Sequence, residues 1–273
     1  MRKVKLGTTG ESIPVIGQGT WGIEDGKDKE YYEKWKDSLK KGIELGMTHL
    51  DTAEVYGNGA AERMIGELLE ESVDRDEVFI TSKLFPIHMM RKSMRKATQK
   101  SLERLGIDCF DLYLIHWPNP FMINSGFMKY FDELIEEGKT RYVGVSNFFP
   151  WQVKKAREAL KNGELVTNQI RLNVTYQKPI KNSLSFYQDE NILITAYSPL
   201  GHGGLHGIDD GLKNKLEKIG QKHDITIQQV ALAWLVNHDG IIAIPKAFDE
   251  KHVEANAKAA DIVLSESEIK SLY

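Results

Sequence analysis

Met47-Thr-His-Leu-Asp-Thr-Ala-Glu-Val-Tyr-Gly-Asn-Gly59 sets an acid and a phenol on a glycine-punctuated turn directly behind a short apolar run. A helical pattern from Lys29 to Leu45 closes at Gly46, so the run that follows reads as a strand with Asp51 at its C-terminal end. Beyond the turn, Met64, Ile65, Leu68 and Leu69 return to helical spacing between Ala60 and Leu69. Helix, strand, polar turn, helix is therefore the local unit, and the fold depends on whether that unit repeats.

It repeats in both directions. Upstream, Lys3-Val-Lys-Leu and Glu11-Ser-Ile-Pro14 around Thr8-Thr-Gly10 predict a small hairpin, and Val15-Ile-Gly-Gln-Gly-Thr20 is a first short run. Downstream, strands are expected at Val78–Lys83, Asp111–His116, Tyr142–Ser146, Leu165–Gln169, Ile192–Tyr197 and Ile241–Ile244. Helices are expected at Met89–Leu105, Met128–Glu137, Pro150–Leu160, Leu184–Asp189, Leu212–His223, Ile227–Val236 (capped by Thr226), Lys251–Ala260, and after Ser265. Eight apolar runs alternating with helices, without a linker or a shift in composition, predict an α/β fold. The expected form is one closed TIM-type (β/α)8 barrel over 1–273, with an N-terminal β-hairpin and extra helices near the C-terminus. An open doubly wound sheet is the alternative. Gly17-Gln-Gly-Thr-Trp-Gly22 imitates its dinucleotide turn, but only a hairpin precedes that string and no helix starts at its third glycine.

Composition narrows the function classes. With 41% hydrophobic and 27% charged residues the chain can bury a large core. A net charge of −3 with interspersed signs gives no footprint for nucleic acid or an anionic membrane. No apolar run approaches the roughly 20 residues of a membrane span, and the start of the chain does not read as a signal peptide. The lone Cys109, set between Asp108 and Phe110, reads as a small packed residue rather than a reactive thiol. These features predict a cytoplasmic protein without metal, a monomer or weak homo-oligomer, whose partner is a small molecule.

The ends of the strands suggest what that molecule undergoes. Asp51, Lys83, His116, Ser146, Gln169 and Tyr197 close successive runs 23 to 33 residues apart, with Pro245-Lys246 after the last. Each is therefore presented on the face where barrel enzymes build their sites. Taken singly, Asp51 could be a cap, Lys83 a solvated edge residue and His116 a satisfied histidine beside Pro118. Their convergence with Tyr56 on one rim is the informative feature. A tyrosine near its reference pKa of about 10 is a poor acid. An adjacent ammonium favours the phenolate and is expected to lower that value, and Asp51 would keep the lysine charged. A neutral imidazole can orient a carbonyl oxygen. The set is suited to protonating a carbonyl. No side chain is an obvious nucleophile, and hydride from a reduced nicotinamide is the natural complement.

The same strings resemble the aldo-keto reductases over essentially the whole chain, in particular the diketogulonate-reductase-like prokaryotic members. The matching segments are Ile16–Gly22, Asp51–Gly57, Leu105–Asp108, Asp111–Pro118, Gly144–Phe148, Asn168-Gln169, Ala196–Gly201 and Ile244–Lys246. The resemblance implies NAD(P)H-dependent reduction of aldehydes and ketones, with Asp51, Tyr56, Lys83 and His116 as the catalytic set. It further implies that Ser146, Asn147 and Gln169 hold the nicotinamide carboxamide and that Tyr197 stacks on its ring. Ser198, Pro199, Leu200 and Gly201 would line the pyrophosphate, with Gly19, Thr20 and Asp51 near the nicotinamide ribose. Ile244, Lys246, Ala247, His252 and Asn256 would take the adenosine end. Trp21, Phe85 and Trp117, together with Tyr56 and His116, would wall the substrate pocket.

Two departures stand out. NADPH-preferring members often carry Ser, Arg and Glu where this chain has Ala247, His252 and Ala255, which predicts NADPH binding with NADH also accepted. The segments after Trp117 and Gly201 and the tail to Tyr273 are short, which predicts an open cleft of broad preference. Two other readings compete: a cofactor-binding regulatory subunit with little turnover, as in the potassium-channel β-subunits of this family, and a Schiff-base lyase or isomerase using Lys83. The second requires a neutral lysine, which a neighbouring Asp51 disfavours.

Overall fold

The computed structural model describes residues 1–119, 125–201 and 203–273. Eight parallel strands form one sheet: β3 (Gln18–Gly19), β4 (His49–Asp51), β5 (Phe79–Leu84), β6 (Phe110–Ile115), β7 (Thr140–Ser146), β8 (Leu165–Arg171), β9 (Leu193–Tyr197) and β10 (Ile241–Ala243). Each pairs with its sequence neighbours. Ile16 bridges Ala243 in parallel to close the ring, with Gly17 N–H donating to Ala243 O and Ala243 N–H to Val15 O, both at 2.9 Å. Gly19 N–H extends the seam to Pro245 O at 3.0 Å. A Cβ on Gly19 would lie 2.8 Å from the Ile244 carbonyl oxygen, so glycine is needed here for strand approach, whatever else the position does.

The barrel helices are α1 (Lys29–Glu44), α2 (Ala60–Glu71), α3 (Arg91–Leu105), α4 (Ser125–Glu136), α5 (Pro150–Ala159), α6 (Lys178–Asp189), α8 (Ile227–Val236) and α9 (Glu250–Ala259). Two additions, α7 (Asp210–His223) and α10 (Glu266–Ser271), are the extra helices expected near the C-terminus. Thr226 caps α8 as expected, its hydroxyl accepting from Gln229 N–H while the Gln229 side chain reaches back. The hairpin forms from β1 (Lys3–Lys5) and β2 (Ser12–Pro14). Its Leu6 and Ile13 pack with Phe79, Leu112, Leu114, Leu193 and Ile242, sealing the N-terminal end of the barrel. The lumen is thus filled from below, and the opposite rim is left for polar groups.

Two helices begin earlier than their apolar spacing indicates. α6 starts at Lys178, with Pro179 in its first turn, and α4 starts at Ser125. In α6 only Ile180 is buried ahead of Leu184, so those turns carry almost no periodic signal. The expectation of a short connection after Trp117 falls partly on 120–124 and lies outside the described residues, as does His202 in the loop after Gly201.

Candidate active site

The strand ends converge. Asp51 is buried at the end of β4 and Lys83, on β5, is fully buried beside it. Lys83 Nζ donates to Asp51 Oδ1 at 2.6 Å, to the Thr52 carbonyl at 2.7 Å and to Tyr56 Oη at 3.2 Å. All three donor directions of the ammonium are thereby used. Burial works against the charged lysine, but Asp51 and then Tyr56 outweigh it and hold its pKa above the ordinary value. Tyr56 opens a tight helical turn, Tyr56–Gly59, in which Gly57 and Asn58 take positive φ of 54° and 50°. That turn aims the phenol back across the rim.

The Tyr56 pKa corrects the expectation from sequence. Burial raises it, Lys83 offsets this only in part, and the net direction is upward. The phenol therefore keeps its proton at neutral pH. His116, the residue after β6, is lowered to about 3, first by burial and then by the Lys83 charge, so its imidazole is neutral. Its ring meets Tyr56 edge-on at 5.8 Å and Phe85 at 5.9 Å between centroids.

A second polar chain runs from the same acid. Gln169 Nε2 donates to Asp51 Oδ2 at 2.6 Å, and Ser146 Oγ donates to the Gln169 carbonyl at 2.9 Å. Asn147 Nδ2 reaches Ser146 Oγ at 3.0 Å and the His116 carbonyl at 3.2 Å, while its Oδ1 accepts from Tyr197 Oη at 2.8 Å. Asn147 has φ 63° and Ser198 φ 47°, conformations uncommon outside glycine that gather at functional sites. Asn173 Nδ2, not foreseen from sequence, holds the Ser198 carbonyl at 2.9 Å. Pro199 is buried, and Leu200 and Gly201 border a cleft of about 670 Å³ edged by Arg171 and Lys215. Thr20, fully buried, donates its hydroxyl to the Asp51 carbonyl at 2.9 Å, beside Gly19.

The remaining positions lie along the closing seam. Ile244 is buried, its N–H on the Ala196 carbonyl at 3.1 Å, and Ala247 packs against the core. His252 is exposed on α9, whereas Asn256 is buried there. Lys246 Nζ lies over the Trp21 ring at 5.0 Å, so a residue assigned to the adenosine end touches one assigned to the substrate wall. Trp21 and Trp117 are about half exposed, at 53% and 46%, and Phe85 is partly buried.

Named contacts thus run from Lys246 on Trp21, next in sequence to Thr20, through Asp51, Gln169, Ser146 and Asn147 to Tyr197. Residues 15–273 match the model of the aldo/keto reductase family. The chain belongs to that family. This aldo/keto reductase is 35% identical over 263 residues to the methylglyoxal reductase of Escherichia coli, covering 96% of this chain and 90% of that one. It is 33% identical over 267 residues to the glyoxal reductase of Bacillus subtilis, covering 96% and 89%. Its fold superposes with a TM-score of 0.93 and 38% identity on a thermostable aldo-keto reductase in complex with epalrestat, over 100% of this chain and 98% of that one. A Klebsiella pneumoniae aldo/keto reductase in complex with NADP and acetate gives 0.89 and 32%, over 100% and 94%. The barrel and the oxidoreductase class follow from this membership.

Among the described residues no helix is long and apolar enough to cross a membrane. Among them, too, no group of three or more His, Cys, Asp or Glu side chains is arranged to hold a metal ion.

Proposed function

We propose that this chain reduces aldehydes and ketones to alcohols with NADPH as reductant, Tyr56 giving a proton to the carbonyl oxygen. The observation that carries the reading is the buried Lys83 ammonium, fixed on Asp51 and 3.2 Å from the Tyr56 hydroxyl at the catalytic rim. Similarity to enzymes named for methylglyoxal and glyoxal reduction, and to a structure holding NADP, supports it. Bound NADPH supplies the hydride to the carbonyl carbon.

The residues divide the remaining work. Tyr56 is loaded with its proton at neutral pH, because burial outweighs the lysine. Once the proton leaves, the phenolate lies beside a fixed ammonium, so Lys83 acts on the charge that develops rather than on the resting phenol. Asp51 keeps Lys83 charged and meets Gln169, which links the proton donor to the nicotinamide side. Neutral His116 orients the carbonyl. Its Nδ1 is buried without a partner among the described residues, and we place the ring proton on Nε2, the nitrogen left to a ligand.

Ser146, Asn147 and Gln169 take the carboxamide in this reading, Tyr197 the ring face, Ser198–Gly201 the pyrophosphate, and Lys246 with Asn256 the adenosine end. NADH is accepted as well. The enzyme is taken as cytoplasmic, acting alone or as a weak homo-oligomer on small carbonyl compounds.

The test is NADPH oxidation over a panel of aldehydes, α-keto esters, diketones and sugars, repeated with Tyr56→Phe. The variant is expected to lose at least about a hundredfold in kcat while retaining its affinity for NADPH. Turnover of the variant at the wild-type rate would overturn the assigned acid.

A further inference from the structure

Histidines at functional sites commonly have their ring orientation fixed by a hydrogen bond at the second nitrogen. His116 lacks one among the described residues, where its Nδ1 is buried with no partner. Two aromatic rings flank it instead: Tyr56 meets it at 77° and Phe85 at 82°, both edge-on. The two rings come from different connections. Tyr56 lies between β4 and α2, and Phe85 is the first residue beyond β5.

Glu54 joins them. It stands two residues before Tyr56, and its Oε1 accepts the Phe85 backbone N–H at 2.6 Å. That donor falls where the β5 strand ends and would otherwise need another acceptor. Oε2 meets His88 Nε2 at 3.2 Å, which fastens the far side of the same loop. The Glu54 side chain is only 12% exposed, so water competes little for these contacts. None of the strand-end residues supplies this link.

Resting on the reading of His116 as the residue that orients the carbonyl, we propose that Glu54 is a positioning residue for its imidazole. It staples the loop of Tyr56 to the loop of Phe85, and the two rings between them hold the histidine. The carboxylate touches neither substrate nor cofactor in this role. Its effect passes entirely through the angle of another side chain.

A cycle of variants tests this, with NADPH and an aromatic aldehyde as substrates. Glu54→Met keeps most of the volume and removes both acceptors; kcat/KM is expected to fall roughly ten- to hundredfold, with NADPH affinity unchanged. Glu54→Gln retains an acceptor for the Phe85 N–H and is expected to restore most of the rate. In a His116→Ala background Glu54→Met should cost nothing further, because the ring it positions is gone. If the Met variant does not fold, Glu54→Asp, one methylene short, carries the same cycle. An equal loss in both backgrounds, or a Met variant as fast as wild type, overturns the brace. A His116→Ala enzyme as active as wild type overturns the underlying reading and the brace with it.

Discussion

Gln169 and Asp51 meet across the barrel mouth, Nε2 to Oδ2 at 2.6 Å, from strands four places apart in a ring of eight. One carboxylate thus holds Lys83 on its own side of the barrel with one oxygen and the opposite wall with the other. Removing its charge strands a fully buried ammonium and leaves the Gln169 amide without a charged acceptor. Asp51→Asn is therefore expected to cost about 3–5 kcal/mol in stability. Denaturant unfolding at neutral pH measures it, with Asp51→Asn/Lys83→Met expected to regain more than half of the loss. A single variant that unfolds at the wild-type midpoint would show that the pair contributes nothing.

His49 lies on β4 two residues below Asp51, buried, with Nε2 on Thr81 Oγ1 at 2.9 Å. Burial, and to a lesser extent Lys83, lowers its pKa to about 4 against the restoring pull of Asp51. The unfolded chain, with histidine near 6.5, binds the proton more readily than the folded one. Stability from this group is complete above about pH 6.5 and is lost as the pH falls toward 4. The loss amounts to about 3 kcal/mol at 1.36 per unit. His116, lowered to about 3, extends the slope further into acid. His49→Asn should flatten the dependence of unfolding free energy on pH between 6.5 and 4; an unchanged slope would remove His49 as its source.

In the proposed reading, cofactor choice follows from the residues given to the adenosine end. Lys246 offers a single point charge, and His252 stands exposed where an arginine fork would give several donors at fixed charge. We expect kcat/KM for NADPH to exceed that for NADH by less than about a thousandfold, roughly 4 kcal/mol at 1.4 per decade. His252→Arg should widen the ratio and Lys246→Met should narrow it. A larger native ratio, or variants that leave it unmoved, would place the discrimination elsewhere.

Much of this was legible in the sequence because two signals agree. Apolar runs too short for helices alternate with helical spacing, and each run ends in a group that is costly to bury. That agreement is what singles out Asp51, Lys83, His116, Ser146 and Gln169, which the structure brings together at one rim. What stayed hidden depends on atoms that every residue shares. The Thr52 carbonyl that accepts from Lys83, the Phe85 N–H that donates to Glu54 and the Ser198 carbonyl that accepts from Asn173 carry no side-chain signature. The direction of the Tyr56 shift was missed for a different reason. Sequence places a lysine beside the phenol, but the depth of burial that opposes it is a property of the assembled rim.

The seam between the first and last strands has a consequence for how the protein matures. Gly19 and Thr20 stand more than 220 positions ahead of Ile244 and Lys246 in the chain, yet Gly19 N–H rests on the Pro245 carbonyl. A chain whose last strand has not docked still lacks this junction, and Ile244, Lys246, Ala247, His252 and Asn256, the residues proposed for the adenosine end, all follow that strand. Protection by NADPH during refolding would therefore arrive with ring closure rather than with the growth of helix or sheet.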